Sequence, residues 1–312
     1  MNFDEYQKQA KRTEFFAINS DNSERDLRRL YLISGLISQV GEIANRLKKK
    51  LRDGQDYILL KAEVEERLGH ALWYIASLAS EFGVSLSEIA DQNTGFNNRR
   101  WSQVQEPPQL LHSNDFDGDY PPEQRLPRRL AAHFRTVETG GLKKTVVEIF
   151  PNWPDRAGAM QFGDPIDDNS WDDDHYRYHD VFHFAYLAVL WWSPVVRKLL
   201  LRKRKDKENP DVDRIEDGAR AVDTEEATTA FIYSYVSQQQ FLATSTNIDT
   251  GLLTTIRTLL RGFEVRACTE KEWESAIINA AEVLRQLVEN GGGWVEANRD
   301  ERRIKYLGLN VD

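Results

Sequence analysis

The run Asp172-Asp173-Asp174-His175-Tyr176-Arg177-Tyr178-His179-Asp180-Val181-Phe182-His183 gathers chemistry-bearing side chains more densely than any other stretch of the 312-residue chain. His179 and His183 stand four residues apart, and on a helix that spacing lets two imidazoles meet one ligand. Downstream, a second helical stretch carries Glu216, Arg220, Glu225 and Glu226. Ile215, Ala219, Val222, Glu226 and Ala230 recur there at helical spacing, which puts Glu226 where a core residue belongs. A buried acid needs a cation or hydrogen-bond donors.

Three arrangements meet that need. In the first, His179, His183 and one or more of Glu216, Glu225 and Glu226 hold a divalent metal, with His179, Asp180 and Glu226 doing the acid–base work. Mixed nitrogen and oxygen ligation of that kind suits Mn²⁺, Fe²⁺ or Zn²⁺ better than Mg²⁺. In the second, the same groups form a metal-free acid–base or nucleotide-binding pocket, with Arg177 and Arg220 on phosphate. In the third, a buried His–Glu–Arg network ties helices together, every polar group having a partner. The residue pattern leaves all three open.

The elements that must position these groups are mostly helices. A short helix is expected over 2–16 and a long one over 24–51, where Leu36, Val40, Ile43 and Leu47 form an apolar stripe. Arg52-Asp53-Gly54 breaks it. A second long helix over 57–82 turns Val64, Leu68, Ala71, Leu72, Ile75 and Leu78 inward, and a shorter one follows Ser85. Pro107-Pro108, Pro121-Pro122 and Pro127 then mark a linker over 103–127. Residues 135–150, centred on Gly140-Gly141, read as a β-hairpin, the one convincing strand pair. Helices return over 176–192, 212–241, 250–263 and 271–289, with Gly291-Gly292-Gly293 closing the last. The expected fold is thus mostly α: a helical bundle over 1–102, a proline-rich linker, and a second helical domain over 128–312 that opens with a small hairpin.

The stretch Gly35-Leu36-Ile37-Ser38-Gln39-Val40-Gly41-Glu42-Ile43-Ala44 closely resembles the first motif of the MazG-like nucleoside triphosphate pyrophosphohydrolases. Arg67-Leu68-Gly69-His70-Ala71-Leu72-Trp73-Tyr74 resembles the second, and Asn93 and Arg100 fit the closing Asn…Arg element. The resemblance implies an all-α bundle that builds its core as a homodimer or tetramer. It also implies a nucleotide ligand, which Arg67 and Arg100 would contact, and four acids on two facing helices. Carboxylates are the oxygen ligands that Mg²⁺ requires, and acids three residues apart share a helical face. Here the four acid positions read Gln39, Glu42, Arg67 and His70. The exchange moves the site by roughly three to four charge units, and Arg67 cannot shed its proton. Mg²⁺ is not expected at such a site. Glu63 and Glu66, one turn before His70, are a migrated acid pair or a solvated face.

The second half, around Tyr176-Arg177-Tyr178-His179-Asp180-Val181-Phe182-His183 and Glu216-Asp217-Gly218-Ala219-Arg220-Ala221, resembles the domain that follows MazG-like domains in a group of bacterial proteins. His179-Asp180 is also similar to the dipeptide of metal phosphohydrolases. The joint reading is a MazG-related nucleotide-binding protein whose N-terminal site is inactive, with any hydrolysis carried by the C-terminal His/acid site. The alternative is a non-catalytic nucleotide sensor or oligomerisation module.

Bulk properties exclude other classes. With 50 acids against 41 bases the chain is net −9, unsuited to general nucleic-acid binding, which needs clustered cations. The basic run Arg197-Lys198-Leu199-Leu200-Leu201-Arg202-Lys203-Arg204-Lys205 reads as a solvated helix end and turn in preference to a phosphate-binding patch. No apolar stretch reaches bilayer length, and the polar N-terminus carries no secretory signal. One cysteine, Cys268, excludes an internal disulfide and a Cys-cluster zinc site. A cytoplasmic protein is expected.

Overall fold

In a computed structural model of the protein, the structure describes residues 1–14, 22–54, 61–101, 115–168, 171–206, 208–245 and 247–311. The chain divides into two units, Met1–Ser102 and Gln103–Asp312. The fold is mostly α-helical with a small antiparallel sheet, as the periodicity predicts.

In the first unit α1 (Phe3–Arg12) starts on a capping box. The Asn2 side chain accepts from the Glu5 amide at 2.8 Å, and the Glu5 carboxylate accepts from the Asn2 amide at 3.1 Å, satisfying two donors that a helix start leaves orphaned. α2 (Asn22–Asp53) and α3 (Lys61–Glu81) pack against each other, and α4 (Leu86–Trp101) follows. Gly35 lets α2 and α3 approach closely: a Cβ there would lie 2.3 Å from the Tyr74 ring. Leu32 is buried, while Leu36, Gln39, Ile43 and Arg46 are half-buried along the same side of α2.

Val40 and Leu47 of the expected inward stripe are exposed, as are Leu68 and Ile75 of α3. The reason is that α2 carries two apolar stripes. Leu30, Ile33, Ile37, Val40, Ala44, Leu47 and Leu51 alternate spacings of three and four residues along its other side, and all are exposed. That alternation is the pattern of a coiled-coil seam.

The second unit is built on an antiparallel sheet. β1 (Arg129–Thr139) pairs with β2 (Leu142–Phe150) through the Gly140-Gly141 turn, as the hairpin reading expects. β3 (Met160–Gln161) and β4 (Ile166–Asp167) add short pairings to β2. The hairpin is not the whole sheet: β5 (Gly292–Asn298) pairs with β1, and β6 (Arg303–Gly308) with β5. The three glycines that end the preceding helix also start β5. A Cβ on Gly292 would meet the Phe134 carbonyl oxygen at 2.5 Å, and one on Gly293 the Tyr306 ring at 2.5 Å. Close backbone approach, rather than a turn alone, explains the run.

Against this sheet lie α5 (Val181–Ala185), continued by a π turn over Tyr186–Leu190, and α9 (Glu270–Asn290). α6 (Pro194–Leu199), α7 (Ala219–Gln238) and α8 (Thr250–Leu260) complete the unit. The shared core joins Leu130, Phe134 and Ile149 of the sheet to Phe182, Leu187, Ile277 and Leu284 of the helices. Residues 115–127, within the stretch read as linker, belong to this unit: Asp117 is buried and accepts from the Leu126 amide at 2.7 Å. Residues 103–114 of that stretch lie outside the described residues. Among the described residues, no helix is long and apolar enough to cross a membrane.

Candidate metal centre

His179 closes a short 3₁₀ turn over Tyr176–Tyr178, and Asp180 precedes α5, on which His183 sits. Helical backbone angles continue through His179 and Asp180, so the four-residue spacing does bring the two imidazoles to one place. Their ring centroids are 6.0 Å apart. One ligand atom from each of His179, Asp180 and His183 falls within a group no more than 4.8 Å across, and all three residues are buried. Asp180 Oδ1 is 3.7 Å from His179 Nε2.

The outer nitrogens of both rings are already held. His179 Nδ1 lies 3.0 Å from the Tyr176 carbonyl oxygen, and His183 Nδ1 lies 2.8 Å from Glu225 Oε1. An imidazole anchored in this way donates through Nδ1 and presents Nε2 as its ligand nitrogen. Glu225 is itself fixed: Ser193 Oγ donates to it at 2.6 Å and the Val195 amide at 2.8 Å. By contrast, His183 Nε2 and Asp180 Oδ2 are buried without a hydrogen-bond partner. Glu226 Oε2 stands 3.4 Å from His183 Nε2, in a geometry that makes no hydrogen bond.

The electrostatics follow from this packing. Burial pulls the His183 imidazole down, but Glu225 and then Glu226 overcome it and raise His183 to about 10. Burial pushes the Asp180 carboxyl up, against the pull of His179 and His183. Burial pushes the Glu226 carboxyl up, but His183, and then His179 and Lys198, overcome it and hold Glu226 below its ordinary range. Without a metal the cluster therefore keeps a proton on His183; a divalent cation at the same nitrogen would displace it.

The acids differ from the expected placement. Glu225, not Glu226, is the fully buried carboxylate, and Glu226 is exposed at the rim. Residues Val212–Glu216 form a π turn and Gly218 starts α7, so a stripe projected from Ile215 with helical period slips by one residue before it reaches Glu226. Glu216 is not part of the cluster; it accepts from the Glu264 amide at 3.0 Å. Asp180, expected as an acid–base group rather than a ligand, occupies the third corner instead. Its position between the histidines was visible, but spacing rules seek acids one turn away, not next door.

The arginines are placed elsewhere too. Arg177 is buried and ion-paired with Asp168, which holds the acidic loop rather than a phosphate. Arg220 lies over the Phe263 ring at 5.6 Å. The basic run is not simply a solvated helix end: Arg197 and Arg204 are only 3% and 1% exposed. Arg204 donates to Asp217 and Glu264, each at 2.7 Å, and Arg197 pairs with Asp117. Lys198, exposed on α6, is the member of the run whose charge reaches Glu226.

In the first unit Arg67 Nη1 donates to Gln39 Oε1 at 3.4 Å, closing the seam between α2 and α3 with an amide and a guanidinium. Glu42 and His70 are exposed. Glu63 is ion-paired with Arg46 and Glu66 is exposed. Asn93 accepts from the Asn97 amide group at 3.0 Å. Arg100 lies in α4, and its side chain is outside the described residues.

Comparison with known proteins matches residues 111–310 to the MazG C-terminal domain. The Gene 37 protein of Mycobacterium phage L5 is 38% identical over 65 residues, 20% of this chain and 57% of the phage protein. The chain thus spans a little over half the length of that relative. No solved structure matches. With the family match running through the sheet, the His-Asp-His cluster and α7 to α9, the chain belongs to the MazG C-terminal domain family.

Proposed function

We propose that the second unit is a divalent-metal phosphohydrolase module acting on nucleotides, in a chain whose first unit has lost the corresponding acids. The observation that carries this reading is the division within the cluster. Both Nδ1 atoms are anchored, while His183 Nε2 and Asp180 Oδ2 are buried without a hydrogen bond, the former only ion-paired with Glu226 at 3.4 Å. A purely structural network would satisfy those atoms. Two imidazoles and a carboxylate form a donor set that fits Mn²⁺, Fe²⁺ or Zn²⁺. Such an ion, when bound, supplies Lewis acidity toward a phosphoryl group and acidifies water.

The chain's own groups divide the remaining work. Tyr176 and Glu225 orient the two imidazoles. Glu226, ionised at the rim, is the general base that takes a proton from the attacking water. Lys198 adds positive potential on the same side, where substrate phosphate would lie. The test compares Mn²⁺ binding by calorimetry with nucleotide hydrolysis. His179→Ala loses both, and Glu226→Gln keeps the metal but loses turnover. Unchanged Mn²⁺ affinity in His179→Ala would overturn the reading.

For the first unit a second reading is favoured by a specific feature, the exposed seam of α2. We infer that this unit serves assembly into a homo-oligomer rather than catalysis. A leucine- and isoleucine-lined stripe running from Leu30 to Leu51 buries well only against a like helix. The charge exchange at Gln39, Arg67 and His70 supports loss of Mg²⁺ chemistry there.

A further inference from the structure

Beside His179 the chain assembles aromatic rings that the metal chemistry does not need. Tyr176 stacks on the His179 ring with centroids 4.3 Å apart and planes 13° from parallel. Tyr233 meets Tyr176 edge-on at 5.0 Å. Phe241 follows, 6.4 Å from Tyr233 and 6.2 Å from His175. His175, Tyr176 and Phe241 are each only half-buried.

This edge is also where the backbone is strained. His175 has φ 65°, and Gln240, Phe241 and Leu242 have φ 51°, 51° and 56° in succession. Left-handed angles are costly for residues with a Cβ, and they persist where the surroundings enforce them. Two clamps do so: Arg285 donates to the Phe241 carbonyl, and the Tyr233 hydroxyl donates to the Asp174 carbonyl. A hydrophobic core can be filled without bending four non-glycine residues into this region. In addition, His175 Nδ1 is buried and has no hydrogen-bond partner.

We propose that His175 and Phe241 form the base-binding subsite of the metal centre, receiving the purine or pyrimidine of a nucleoside phosphate whose phosphates face His179, Asp180 and His183. This rests on the metal-centre reading above. An open aromatic face accepts any nucleobase by stacking, and the His175 imidazole gives the base edge a polar partner. Stacking of one base on an aromatic residue is typically worth about tenfold to a hundredfold in affinity.

The experiment uses the full chain loaded with Mn²⁺ and titrated by calorimetry with two non-hydrolysable probes. One is adenosine 5′-(α,β-methylene)diphosphate; the other is methylenediphosphonate, which has the phosphorus groups without the nucleoside. The nucleotide probe binds about ten to a hundred times tighter in the unaltered protein. Phe241→Leu and His175→Asn, the second retaining a residue that tolerates a left-handed backbone, shrink that ratio toward one and leave methylenediphosphonate affinity unchanged. Equal affinity for the two probes in the unaltered protein, or a ratio that survives Phe241→Leu, overturns the subsite alone. Failure of Mn²⁺ itself to bind overturns the metal centre and the subsite with it.

Discussion

Replacing Glu225 separates a ligand-orienting carboxylate from one that merely holds helices together. Its side chain is fully buried and accepts from His183 Nδ1, Ser193 Oγ and the Val195 amide. Glu225→Ala removes one partner of a buried charged pair, which costs on the order of 3–5 kcal/mol. For a unit of this size that corresponds to a melting shift of roughly 6–20 °C. Glu225→Gln keeps shape and a carbonyl acceptor but turns an amide N–H₂ toward a donor, so the loss is about 1–3 kcal/mol. The second effect is on metal affinity. An imidazole that has lost its anchoring carboxylate binds about 10–100-fold more weakly. Ser193→Ala serves as the control. It removes one bond to Glu225 without touching the imidazole, and so lowers the melting temperature while leaving Mn²⁺ affinity intact. Thermal melting of the metal-free protein and calorimetric titration with Mn²⁺ measure the two effects separately. The reasoning is refuted if Glu225→Gln lowers the melting temperature but leaves Mn²⁺ affinity within about twofold, since a 10–100-fold loss is then missing.

Three further outcomes are expected. Gln39→Glu, Arg67→Glu and His70→Asp together in the first unit raise Mg²⁺ affinity above that of the unaltered chain, measured by calorimetry in a His179→Ala background; no gain would mean that the scaffold, not the charges, has changed. Ile37→Asp in the exposed α2 seam lowers the oligomeric state in sedimentation without lowering helix content, because the side chain makes no intrachain core. Burial pushes Glu264 up to about 7 despite the opposing pull of Arg204. The folded chain then binds more protons than the unfolded one between about pH 4.5 and pH 7, so stability declines across that window by up to about 3 kcal/mol and levels off above it. Denaturant melts of Glu264→Gln lack this decline; parallel curves for the two proteins would remove Glu264 as its source.

The legible parts of this chain were those that local rules govern. His179 and His183 could be paired from spacing because the backbone between them stays helical. The hairpin could be read from its Gly-Gly turn and alternating residues. What failed depended on phase and on distant partners. The π turn over Val212–Glu216 inserts a shift that no periodic count across it detects, so the count points to Glu226 where the core acid is Glu225. β5 and β6 were hidden because a glycine triplet after a helix signals a stop, whereas Gly292 and Gly293 are there for close packing against β1 and Tyr306. Val40 and Leu47 count as inward by spacing because a helix with two apolar stripes offers one count for both.

Charged residues make the sharpest contrast, because residue type alone said least about them. Arg67, Arg177 and Arg204 all fitted the expectation of anion contacts or solvated charge. Each has instead an internal acceptor: Gln39, Asp168, and the Asp217–Glu264 pair. An arginine already bound by a buried carboxylate has little left to offer a phosphate, and its removal strands the acid it neutralises. The same census bears on the three readings of the His-rich run. A structural network leaves nothing unpaired, and of the two arginines of a metal-free phosphate pocket Arg177 is already taken by Asp168. Around His179, Asp180 and His183 the anchoring atoms are hydrogen-bonded while the converging ones, His183 Nε2 and Asp180 Oδ2, are not. Buried polar atoms without hydrogen bonds are costly, and that cost is what favours the proposed metal centre over a helix clamp.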